Sequence, residues 1–85
     1  MQQNIYYIQF ALHFANKSIN ELVASFNREV GCNGWAAMRA YHDRALLDEF
    51  QRRGIDVSAV YDGKSLSFAH PVMYSLTDNK LATIC

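Results

Sequence analysis

His42 and Asp43 stand side by side in this 85-residue chain, with Arg39 three positions before the histidine and Arg44 directly after the aspartate. A base, a carboxylate and two cations are the ingredients of an acid–base or anion-handling site. Adding Cys32 would complete a nucleophile, base and orienter set. Adjacent residues on a helix, however, point about 100° apart, which is poor geometry for a proton relay. No catalytic residue is therefore assigned. Asp43 falls among Ala36, Ala40, Leu46, Leu47 and Phe50 on one side of a helix. Arg39, four residues earlier, can form an ion pair with it whose stems cover the apolar stripe.

Trp35 opens the same helix just after Gly34. It is either a core aromatic locking the corner between two helices or an exposed interface anchor, the role for which tryptophan is enriched. Arg44-Asp48, Asp48-Arg52 and Glu49-Arg53 repeat the four-residue spacing of a charged, solvated helix face. The binding candidates are thus Trp35, Arg39, His42, Asp43, Arg44 and Arg52.

Other chemistries find no signature. There is no glycine-rich phosphate loop, no G-x-S-x-G elbow and no H-E-x-x-H. His13, His42 and His70 fall on three separate elements, and Cys32 and Cys85 form no C-x-x-C, so no metal site, cofactor or disulfide framework is expected. The thiols are expected to be reduced, in a cytoplasmic protein.

The elements that must position these residues centre on the stretch from Ser18 to Gly54. Ser18-Ile19-Asn20-Glu21 has the S-x-x-E form of a capping box, which starts a helix near Ile19. Ile19, Leu22, Val23, Phe26 and Val30 line one face of it, and Gly31 supplies a left-handed terminus. A second helix is expected from Trp35 to Arg53, ended by Gly54.

Before these helices, Tyr6, Ile8, Phe10, Leu12 and Phe14 alternate within a run dense in aromatic and β-branched residues, which predicts a strand, with a helix as the competing reading. The run is too short and too interrupted to span a bilayer, and it lacks the basic start of a signal peptide. After them, Ile55, Val57, Ala59 and Tyr61 alternate as a strand, Asp62-Gly63 forms a hairpin turn, and Leu66, Phe68 and His70 return. Pro71 interrupts, Val72 to Leu76 extends again, Thr77 to Lys80 turns, and Leu81 to Ile84 pairs back.

The expected fold is α+β: a single two-layer domain of order β-α-α-β-β, with further short strands, its two helices on one face of an antiparallel sheet. Eight basic residues balance eight acidic ones, which excludes a global field for nucleic acid or an anionic membrane. Half the chain (51%) is hydrophobic, more than one small core can hide, which favours a homodimer or a partner protein. The expected function is accordingly a non-enzymatic protein-interaction or regulatory domain. The alternative is a nucleic-acid-binding module of helix-turn-helix plus hairpin type using Arg39, Arg44 and Arg52. That reading is weakened by the acids interleaved with those arginines and by a third helix that is missing unless the N-terminal segment is helical. A small enzyme using His42 and Asp43 ranks third.

Overall fold

The N-terminal run folds as a helix, not as the expected strand. In a computed structural model that describes residues 5–31 and 37–84, α1 spans Ile5–Ala15, α2 Ile19–Arg28 and α3 Ala37–Arg52, followed by β1 (Val72–Ser75) and β2 (Lys80–Thr83). The order is α-α-α-β-β, so the α+β class holds while the first element changes type. The reason lies in what α1 buries. Tyr7, Phe10, Ala11 and Phe14, at the three- and four-residue spacing of one helical face, turn into the core, and Phe14 is fully buried. The alternating set of Tyr6, Ile8, Phe10, Leu12 and Phe14 is split: Tyr6, Ile8 and Leu12 are exposed.

α2 follows its local signals. The Ser18 hydroxyl accepts from Glu21 N–H at 3.1 Å and the Glu21 carboxylate accepts from Ser18 N–H at 3.0 Å, which closes the capping box. The helix stops at Arg28 with Glu29 as C-cap, and Gly31 takes a φ of 80°. Leu22, Ser25 and Phe26 are its buried residues. α3 buries Ala45, Leu46, Leu47, Glu49 and Phe50, packs mainly along α1 and ends before Gly54, whose φ is 76°. The Trp35 and Cys32 assignments lie outside the described residues, as does Cys85.

The segment from Ile55 to His70 does not form the expected hairpin. Only one antiparallel bridge, Tyr61 with Leu66, joins its arms, and Asp56 makes a single parallel bridge to Lys80. The turn itself is real. Gly63 has a φ of 98°, and Asp62 Oδ1 accepts from Lys64 and Ser65 N–H groups. What breaks the first arm is a second local turn, in which Asp56 Oδ1 takes Ser58 N–H and the Val57 carbonyl accepts from both Val60 and Tyr61. That turn buries Val57 and Val60, three residues apart, where a strand would have buried every second residue.

The later strands fold as expected. Val72 pairs with Thr83 and Ser75 with Lys80 in an antiparallel ladder, closed by a turn in which Asn79 takes a φ of 52°. The sheet therefore has two strands, and α2 is the helix that meets β1. One core joins all of it: Phe14 of α1, Leu22 and Phe26 of α2, Leu46 and Phe50 of α3, then Ile55, Val60, Val72 and Leu81.

Candidate functional site

α3 carries Arg39, His42 and Asp43 within one turn, and the end of α2 brings Glu29 against them. Arg39 Nε lies 3.3 Å from Glu29 Oε1 and 3.6 Å from Asp43 Oδ2, so the expected Arg39-Asp43 pair is present and Glu29 shares its cation. His42 Nδ1 lies 3.2 Å from Asp43 Oδ1 and 3.5 Å from Glu29 Oε1. All four side chains are partly buried. Arg39 is further tethered: its Nη2 donates to the Glu29 carbonyl oxygen at 3.3 Å, and its guanidinium lies 5.5 Å from the centre of the Phe68 ring. The His42 imidazole sits edge-on to Phe10 and Phe14 of α1, with ring centres 5.2 and 5.1 Å away.

Two carboxylates share one guanidinium and one imidazole among the described residues. Burial, followed by the adjacent Asp43, pushes the Glu29 carboxyl up to about 7, against the pull of His42 and Arg39. Glu29 Oε2 is buried and has no hydrogen-bond partner among the described residues. Nothing local in the sequence marks Glu29 as a partner for His42. It is a helix-end residue thirteen positions away, across a stretch with no periodic signal.

The other candidates lie apart from this cluster. Arg44 Nε pairs with Asp48 at 3.2 Å, and Asp48 also accepts a hydrogen bond from Tyr7. Arg52 does not pair with Asp48, as its spacing allows, but with Glu49 three residues back, at 2.9 and 2.6 Å. Glu49, only 5% exposed, also binds Arg53, and so each of these arginines faces an acid.

A second feature is on the outside of α1. Ile5, Ile8, Leu12 and Ala15 are exposed, with Ile5 and Leu12 each 63% accessible, and they recur at spacings of three, four and three. α1 has no acidic or basic residue except His13, so it is apolar both toward the core and along this outer stripe. Elsewhere on the surface, Tyr6 is stacked on Tyr41 of α3 with ring centres 6.3 Å apart, and Met38 is exposed. Among the described residues, no helix is long and apolar enough to cross a membrane.

No family model matches this chain, and neither a curated protein nor a solved structure matches it.

Proposed function

We propose that the protein is an interaction module that pairs with a second copy of itself through α1. The observation that carries this reading is the exposed stripe of Ile5, Ile8, Leu12 and Ala15. Its 3-4-3 spacing is the a/d pattern that seats one helix against another. The stripe is uncharged, so two copies meeting about a twofold axis bring no like charges together, and the same residues serve both sides. A one-faced amphipathic helix would have polar residues there.

The size of the seam sets the strength. Eleven residues make a helix about 16 Å long, which places the interface at the small end of specific contacts and makes a dimer with dissociation in the micromolar range the expected species. Light scattering coupled to size exclusion over a hundredfold range of concentration tests this. The wild type is expected to pass from monomer to dimer. Leu12→Asp is expected to remain monomeric throughout with an unchanged circular dichroism spectrum, because the side chain is exposed and outside the core. A wild type that stays monomeric at the highest concentration overturns the reading.

One observation favours the nucleic-acid alternative: α1 is a helix, which supplies the third helix ahead of a terminal hairpin. The arginines it would use are engaged by Glu29, Asp43, Asp48 and Glu49. A short mixed-sequence duplex added to the same scattering run separates the two readings. A salt-sensitive shift on addition of duplex would favour this alternative.

A further inference from the structure

Three of the four partly buried groups between α2 and α3 bring metal-binding atoms, one imidazole nitrogen and two sets of carboxylate oxygens, to one place. We propose that Glu29, His42 and Asp43 form a binding site for a single divalent transition-metal ion of the zinc type. One atom from each residue, His42 Nδ1 and a carboxylate oxygen from each acid, lies within 4.8 Å of the other two. Tetrahedral zinc with bonds of 2.0–2.2 Å needs donor atoms about 3.3–3.6 Å apart. The His42 Nδ1 to Glu29 Oε1 and His42 Nδ1 to Asp43 Oδ1 separations are 3.5 and 3.2 Å, close to two edges of that tetrahedron.

A second observation concerns the Glu29 carboxyl group. Glu29 Oε2 is fully buried with no hydrogen-bond donor among the described residues, and a buried carboxylate oxygen in that state is costly. Arg39 is the natural competitor for the carboxylates. Its Nε lies 3.3 Å from Glu29 Oε1 and 3.6 Å from Asp43 Oδ2, so an ion bound there must displace it from the two carboxylates, while the Glu29 carbonyl oxygen and the Phe68 ring still hold the guanidinium. An ion drawing the two acids and the imidazole together leaves those anchors in place. One imidazole and two carboxylates suit zinc, cobalt(II) or iron(II) better than calcium, which takes oxygen donors alone. Phe10 and Phe14 wall the imidazole on the α1 side and keep water from that flank. The fourth position is left for water or an exogenous donor.

The test is titration of the full chain, carrying Cys32→Ser and Cys85→Ser so that no thiol contributes, with cobalt(II) followed by visible absorption and with zinc followed by calorimetry. The expected result is one ion per chain, with the strong visible bands of four- or five-coordinate cobalt. Loss of one second-sphere partner typically weakens a metal site by about 10–100-fold, so the isosteric Glu29→Gln and Asp43→Asn, each a loss of a direct ligand, are expected to weaken binding at least tenfold. His13→Ala and His70→Ala are expected to leave it unchanged. Circular dichroism of each variant without metal shows whether it has kept its fold, and the two isosteric variants carry the test if His42→Ala does not. The proposal is overturned if no saturable binding is seen at millimolar metal, if folded Glu29→Gln and Asp43→Asn bind as the parent does, or if His13→Ala or His70→Ala removes the signal. None of these outcomes depends on whether α1 pairs.

Discussion

At Val72, the first residue of β1, both backbone hydrogen-bonding groups are taken up by a single side chain. Asn27 Nδ2 donates to the Val72 carbonyl at 3.0 Å, and Val72 N–H donates to Asn27 Oδ1 at 2.8 Å. Among the described residues β1 has no neighbouring strand on that side, so the amide takes its place and fastens α2 to the hairpin. Val72 is 1% exposed, so water has little access to the groups that Asn27 satisfies. Removing the amide orphans a buried donor and a buried acceptor together, at about 1 kcal/mol or more for each. Asn27→Ala is therefore expected to lower the unfolding free energy in urea by about 2–3 kcal/mol. Asn27→Asp keeps the acceptor but sets a carboxylate against the Val72 carbonyl, and it is expected to destabilise as well. A loss below about 0.5 kcal/mol, the range of an ordinary surface change, would mean that the clamp contributes little.

Among the elements, α2 owes its start to a reciprocal cap that is entirely local. Ser18→Ala removes the acceptor for Glu21 N–H and is expected to cost about 1 kcal/mol in the same urea assay, since this is the usual effect of losing a serine cap. Such local chemistry is why α2 was legible in the sequence, as were Gly54 at the end of α3 and a turn between the strands, although Lys80, expected in that turn, opens β2. α1 was not, because nearly every position is apolar: Tyr6, Ile8, Phe10, Leu12 and Phe14 satisfy a strand period, while Tyr7, Phe10, Ala11 and Phe14 satisfy a helix period. Packing against α3 decides between them, and that contact is remote in sequence. Ile55 to Tyr61 failed differently, since its alternation was genuine but the Asp56 side chain offered the backbone a competing turn. In the candidate site, Arg39 with Asp43 was readable as a four-residue pair. Glu29 was not, because only the return of the chain after α2 brings it to His42.

Across the whole molecule, Glu49 and Arg53 tie the ends of three helices together. Arg53 Nη2 donates to the carbonyls of Phe14 at 3.1 Å and Lys17 at 2.6 Å, where α1 gives way to α2, while its Nε donates to Glu49 near the end of α3. Arg52 binds the same carboxylate from the solvent side. Hydrogen bonding to Arg52, and then to Arg53, holds the Glu49 carboxyl below the usual 4.5, against the opposing effect of burial. The folded value is lower than the unfolded one, so the unfolded chain binds more protons between them. The stabilisation is therefore present above 4.5 and is lost as the pH falls through the folded value. Glu21, Asp56 and Asp62 are also lowered, so acid weakens the wild type through several groups at once and its profile alone does not isolate Glu49. The difference between wild type and Glu49→Gln does isolate it. At neutral pH that difference is expected to be about 2 kcal/mol, the scale of a hydrogen bond to a charged group. It is expected to shrink as the pH drops below 4.5, because a protonated glutamic acid and a glutamine then present similar neutral partners to Arg53. Urea midpoints of the two proteins across that interval measure it. A difference that stays constant with pH would show that Glu49 stabilises the fold through shape and not through its charge.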